Sequence, residues 1–304
     1  MRDPYRRYRA IQQASMPFST PRPTGQREKH LTPFVALICG LTGGKHAHRP
    51  TLADHAPSNG ATPGSLIKRF TRWLNNDRHT IDGWVLPVAA ELLNTLAAQP
   101  ITLVLDGRVA GCGCLALLLR GVYHGRALPR GWVVVSAPTG HFPAQTPCAL
   151  LAQVQAIMPQ DAQGTFVGDG AFDGVAVQAD LRKNGWHSGW RTASPIRVRA
   201  DGVHVHVGDL GPPRGELLAV TPAWMTAEPD GPVSILAIWA LPFKEPIDLV
   251  TNLADLDAVV QHDPQRPQIE TFFSDQKSRG FQMHTRHLRD PKRRGRLRSA
   301  SCRA

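Results

Sequence analysis

Five consecutive residues, Ile101–Leu105, read ITLVL. An unbroken apolar run without polar alternation marks a strand buried on both faces. Such a strand needs a sheet covered on either side, so the expected fold class is α/β. The run ends at Asp106-Gly107. An acid at the end of a buried central strand is held rigidly at the rim of the sheet, a good place for a metal ligand. On these residues alone, a helix or turn cap remains an equal reading. Leu115–Tyr123 and Trp132–Ser136 are the next expected strands, and their order implies antiparallel hairpins beside the first. A helix over Cys148–Met158, a short strand over Thr165–Val167, a helix from Gly174 to Asn184 and a strand over Gly185–Thr192 follow. Residues 194–250 are strand-rich, with Val233–Leu241 as the strongest run.

The chain has 304 residues, of which 42% are hydrophobic, room for one large domain with an insertion or for two domains. No apolar run reaches the roughly 18 residues of a membrane helix. The start, MRDPYRRYRA, lacks a signal peptide's apolar core. Five scattered cysteines make no disulfide framework and fit a reducing cytoplasm; Cys112 and Cys114 read as small core residues. The net charge of +11 is uneven: residues 1–30 carry seven Lys/Arg against two acids, and residues 277–304 carry ten against one. Basic ends on a near-neutral body point to a polyanion, DNA above all, with a pair of solvated tails as the other reading.

Residues 1–30 lack apolar periodicity and are expected to form a mobile basic arm. Leu31–Leu41 reads as a helix stopped by Gly43 and Gly44. A short helix over Thr51–His55 and one capped by Ser65 follow. The latter turns Phe70, Trp73 and Leu74 inward and Lys68, Arg69 and Arg72 outward. Three short helices with a basic third suit a DNA-binding subdomain, though an ordinary amphipathic helix accounts for the last equally well. A further helix is expected over Leu86–Ala98. In the strand-rich part, VHVHV at Val203–Val207 sets His204 and His206 on one face, read as solvated rather than as a zinc pair. Trp239 reads as core; Trp224 is equally open to packing or to stacking on an unpaired base.

The segment Arg266–Lys277 reads RPQIETFFSDQK. At about 100° per residue, a helix brings Arg266, Glu270 and Lys277 onto one narrow stripe. A Glu between two cations stays ionised and can bind a metal while its neighbours hold phosphate. Ion pairs on a surface helix are the alternative. This helix is expected to stop at Asp290-Pro291. Beyond it, Arg294, Arg298 and Arg303 stand where a packed helix would want Leu, so residues 291–304 are expected not to pack.

Three words in order, VLDG at 104–107, GDGAFDG at 168–174 and R-x3-E-x6-K at 266–277, carry a resemblance. The chain resembles the DDE transposases of bacterial insertion sequences, the cut-and-paste group with a ribonuclease-H-like core, over roughly residues 31–290. The resemblance implies a mixed sheet of ribonuclease-H type with an N-terminal helical region and a β-rich insertion before the last catalytic helix. The segments would be 1–30 (arm), 31–99 (DNA-binding helices), 100–193 (core), 194–255 (insertion), 256–290 (Glu helix) and 291–304 (basic tail). It implies that Asp106, Asp169 and Glu270 are catalytic and hold two Mg²⁺ ions, with Mn²⁺ a possible substitute. Arg191, Arg266 and Lys277 would contact DNA along with the basic helix, while Asp173 would cap a helix. It further implies cleavage and strand transfer of element ends into target DNA, an active homodimer, and a bacterial cytoplasmic, nucleoid-associated setting. Asp263 replaces a Tyr of the family, Arg108 a small hydroxyl residue, and the basic tail an apolar helix. Those departures imply C-terminal truncation and an inactive remnant that at most binds DNA as the second reading. A nuclease of the same fold without transposition is the third.

Overall fold

The computed structural model describes residues 3–16, 25–123, 126–137, 141–143, 145–225, 230–241, 244–257, 281–283 and 288–304. Arg266, Glu270, Lys277 and Asp263 lie outside the described residues.

The chain opens with helices α1 (Pro4–Ser15), α2 (Gln26–Gly44), α3 (Arg49–His55), α4 (Pro63–Asn75), α5 (Ile81–Trp84) and α6 (Leu86–Leu96). The expected mobile arm is therefore in part a helix. The Asp3 carboxylate accepts the Tyr5 backbone N–H at 2.9 Å and Pro4 sets the first turn, a strong N-terminal cap. Tyr8 and Ile11 then pack on a cluster that includes Phe34, Leu37 and Ile38 of α2, Leu52 of α3 and Phe70 of α4. In α4 the cap is the Thr62 hydroxyl, which accepts the Ser65 N–H at 3.2 Å, rather than Ser65 itself. Phe70, Trp73 and Leu74 are buried and Lys68, Arg69 and Arg72 exposed, as their spacing requires.

The strands β1 (Ile101–Gly111), β2 (Cys114–Tyr123), β3 (Arg126–Ser136), β4 (Gly164–Gly168), β5 (His187–Arg191), β6 (Arg197–Ala200), β7 (Val203–His206), β8 (Leu217–Met225), β9 (Asp230–Ile238) and β10 (Ile247–Thr251) form one sheet. Its order is β3-β2-β1-β4-β5-β10-β9-β8-β6-β7. The first five strands make the expected ribonuclease-H-type arrangement, with β1–β3 an antiparallel meander and β4 and β5 parallel to β1. Helices α7 (Gln145–Gln155) and α8 (Val175–Lys183) supply the parallel crossovers. Leu103, Leu105, Leu117 and Leu119 meet Leu150, Leu151 and Leu181 on one face. Val104, Ala116 and Leu118 meet Val85 and Trp132 on the other. The ITLVL run is thus buried on both sides, as its composition demands.

The strand-rich segment, expected as a β-rich insertion, extends the same sheet. β10 pairs antiparallel with β5, through Leu249↔Arg191 to Thr251↔Gly189, and carries the sheet onward. The reason is the free edge of β5: an unpaired row of N–H and C=O groups is a template for another strand. Nor does β1 stop at Asp106-Gly107. Its antiparallel partner continues through Asp106↔Leu118 and Arg108↔Ala116 to a turn at residues 111–114, so pairing outlasts the apolar run. In that turn Cys112 is exposed with φ +51°, and of the two cysteines Cys114 alone is a buried core residue.

The C-terminal segment overturns the expectation of an unpacked tail. Residues Pro291–Ser301 form helix α9, and Asp290-Pro291 starts it. The Asp290 carboxylate accepts the N–H groups of Lys292 (2.8 Å) and Arg293 (3.3 Å). Leu297 and Ala300 join the helical cluster. Buried Arg294 and Arg296 are tolerated because they find backbone carbonyls. Arg296 donates to Leu74 O (2.7 Å), to His79 O (3.1 Å) and to the Asp77 carboxylate (2.5 Å). Arg294 donates to Leu288 O and Ala110 O, and Arg303 to Trp84 O. Leu74 and Trp84 sit in the last turns of α4 and α5, where C=O groups lack helical partners and a cation is favoured by the helix dipole. Arginine here satisfies polar groups that leucine would leave bare.

Candidate active site

Strand register places the first two acids at the end of the parallel pairing between adjacent strands. In the parallel pairs, Leu105 stands opposite Gly168 and Gly168 opposite Trp190. The next residue on each of the three adjacent strands is Asp106, Asp169 and Arg191. Neighbouring strands lie about 4.8 Å apart, so the backbones of these three residues stand in one row at the end of the parallel segment. Close approach here needs glycine. A Cβ on Gly168 would lie 2.6 Å from the Trp190 ring and 3.0 Å from Leu105 O.

The surroundings of the two acids differ. The Asp106 side chain is 14% exposed, and the Arg108 guanidinium comes within 3.6 Å of it. By strand alternation Asp106 follows Val104 toward the face that carries α9. Arg120 lies on that face, fully buried, and burial pulls its guanidinium down to about 9 while the negative charge of Asp106 pushes it back up. The Asp169 carboxylate accepts the Ala171 N–H at 3.1 Å and is half-buried. It lines a cleft of about 490 Å³ together with Gly107, His141, Phe142 and Phe172.

Asp173 is the residue that sequence reasoning misplaced. It does not cap α8, whose N-cap is Gly174 without a side-chain bond. Its carboxylate accepts the Thr192 hydroxyl at 2.9 Å. Burial raises its affinity for a proton, and the nearby charge of Asp169 adds to that. The second acid of the GDGAFDG word is thus a neighbour of the site; the only sequence signal was its spacing from Asp169.

Two carboxylates on adjacent strands offer the hard oxygen donors that Mg²⁺ takes, leaving much of its shell for water and substrate. Among the described residues no three His, Cys, Asp or Glu side chains form a group that could hold a metal ion. Among the other sequence candidates, Lys68, Arg69 and Arg72 stand exposed on α4, away from this row in sequence and on a separate element. His204 and His206 are exposed on β7, the strand at one edge of the sheet. Trp239 is half-buried rather than a core residue. Trp224 is half-buried as well, with the Arg199 guanidinium 5.7 Å from its ring centre.

No protein-family model and no curated protein matches the chain. Among solved structures it is similar to the piggyBac transposase, imaged by cryo-electron microscopy in a synaptic complex with hairpin DNA, with a TM-score of 0.50 and 10% identity. The match covers 100% of this chain and 74% of that one. At that identity the likeness is one of fold, and the fold is transposase-like: a large mixed sheet flanked by helices.

Proposed function

We propose that the chain is a DNA transposase of the DDE type, cutting and joining the ends of a bacterial insertion sequence. The observation that carries this reading is the row Asp106–Asp169–Arg191 across a sheet of ribonuclease-H order. The fold likeness to a transposase seen with DNA supports it. In this reading Asp106 and Asp169, with Glu270 as third ligand, hold Mg²⁺, or Mn²⁺ in its place. The bound ions supply Lewis acidity for phosphodiester hydrolysis and strand transfer. Arg191, beside Asp169, steadies a phosphate of the scissile strand, and Arg266 and Lys277 do the same from the Glu-bearing segment. Lys68, Arg69 and Arg72 hold DNA away from the cut. The partners are element ends and target DNA, joined in a homodimer, in the nucleoid of a bacterial cytoplasm. No helix among the described residues is long and apolar enough to cross a membrane.

The test is Mg²⁺-dependent nicking and strand joining on duplexes bearing the flanking element ends. Asp106→Asn and Asp169→Asn should each cut the cleavage rate by at least about a hundredfold while DNA affinity changes little. Equal cleavage by these variants and by the unaltered chain would end the proposal.

One observation favours a second reading, DNA binding without cleavage. The Arg108 guanidinium, 3.6 Å from Asp106, competes with any cation for that carboxylate. Arg108→Ser removes the competitor. A rate that rises from nothing in this variant identifies an inactive chain, whereas cleavage by the unaltered chain rejects that reading.

A further inference from the structure

A cavity of about 580 Å³ opens between α1, α2 and α4, well apart in sequence from the aspartate row. Its size falls in the range of small-molecule sites, roughly 300–1,000 Å³. The floor is apolar: Ala36, Leu66 and Phe70 line it, each less than a tenth exposed. Tyr8 of α1 adds a half-buried ring to the wall. Three cations, Lys29, Arg69 and Arg72, complete the rim, and the lining contains no acidic residue. All three are exposed, and among the described residues none of their side chains makes an ion pair or a hydrogen bond. Arg69 and Arg72 are three apart on one helix and so project to the same side. Thr32, Asn59 and Asn76 supply donors and acceptors around the same space.

The frame behind the cavity is rigid. Trp73 is stacked between Phe34 (5.0 Å between ring centres) and His79 (4.5 Å), and its indole N–H donates to His30 O at 3.2 Å. That sandwich locks α4 to α2, so the cavity is a fixed feature of the fold. Both faces of Trp73 are occupied, which leaves the apolar floor and the Tyr8 ring as the surfaces on which a flat ligand can lie.

A flat, partly polar ring over an apolar floor, with an anion at a cationic rim, describes a nucleoside phosphate. We propose that this cavity binds one unpaired nucleotide, its base on the floor and its phosphate between Lys29, Arg69 and Arg72. A paired duplex cannot enter a concavity of this size, but an extrahelical nucleotide can. The proposal rests on the DNA-processing reading for the source of that nucleotide; a free mononucleotide shares the chemistry.

The experiment uses the full chain and three labelled duplexes of one sequence: fully paired, with one unpaired nucleotide, and with an unpaired abasic residue. Deoxynucleoside monophosphate alone is titrated in parallel. The expected result is about tenfold tighter binding of the unpaired nucleotide than of its abasic counterpart, the size of effect that stacking one base produces. Ala36→Phe fills the floor and should abolish that preference while paired-duplex affinity stays. Arg69→Gln with Arg72→Gln should weaken all three duplexes and the mononucleotide. Should Ala36→Phe fail to fold, 5-bromodeoxyuridine at the unpaired position should photocrosslink to residues of α1, α2 or α4. Crosslinks confined to other elements overturn the proposal, as does equal affinity for nucleotide and abasic duplexes with no mononucleotide binding. Mononucleotide binding without duplex discrimination keeps the site and assigns it to a free nucleotide. A chain that cleaves paired element ends but shows neither effect loses the cavity and keeps the transposase reading. One that binds mononucleotide but never cleaves DNA does the reverse.

Discussion

At the scale of single residues, charge and burial act together in Asp173. Its folded pKa is raised, so the folded state binds the proton more tightly than the unfolded chain does. The sign follows: stability is gained as pH falls and lost as pH rises through the folded pKa. Asp173→Asn removes that loss while its amide oxygen still accepts the Thr192 hydroxyl. Thermal unfolding should therefore show a higher midpoint for the variant at neutral pH, with the two curves converging as pH drops toward the ordinary carboxylate range. A variant less stable at every pH would mean that the charge of Asp173 is matched by a partner. The adjacent strands that carry Asp106 and precede Asp169 were legible in sequence because VLDG and GDGAFDG each follow or close a short apolar run. Asp173 was misread because a carboxylate just before a helix ordinarily caps it, and only the fold brings Thr192 to it.

Among elements, α9 shows what hydropathy cannot see. A helix with arginines on its buried side reads as solvated, since the cost of burying charge is counted and the carbonyls that meet it are not. Arg296 satisfies three acceptors at once. Arg296→Met leaves Leu74 O and His79 O buried without a donor, at roughly 1–3 kcal/mol for each such group. Urea unfolding should register a loss of about 3 kcal/mol. Arg293→Met, which breaks only the surface pair with Asp290 at 3.3 Å, should shift stability by less than about 1 kcal/mol. Similar losses in both would remove the capping role given to Arg296. Strand boundaries were less legible than strand identities. β1 outlasts its apolar run because backbone pairing with β2 continues where the side chains turn polar.

For the whole molecule, the sheet's length is the feature that residue types did not announce. Apolar alternation located the strands of the 194–250 region, but backbone hydrogen bonds between β5 and β10 decide that they extend one sheet. The molecule's net charge of +11 carries a prediction of its own. DNA affinity should fall linearly on a log–log plot against salt, with a slope of about −0.9 for each phosphate neutralised on duplex. Titrations from low to moderate salt measure it, and a flat response rejects polyanion binding. There is also a matter of timing in how α9 is held. The bonds of α9 and the adjoining Arg303 to Leu74, His79, Trp84, Ala110 and Trp132 each span at least 163 residues of chain. Ribosomes add about 5–20 residues per second, so the carbonyls at the ends of α4 and α5 wait on the order of ten seconds or more for their donors. During that interval the helical region and the first hairpin exist without their shared clasp, and a nascent chain of this kind should be a customer for chaperones until its last arginines emerge.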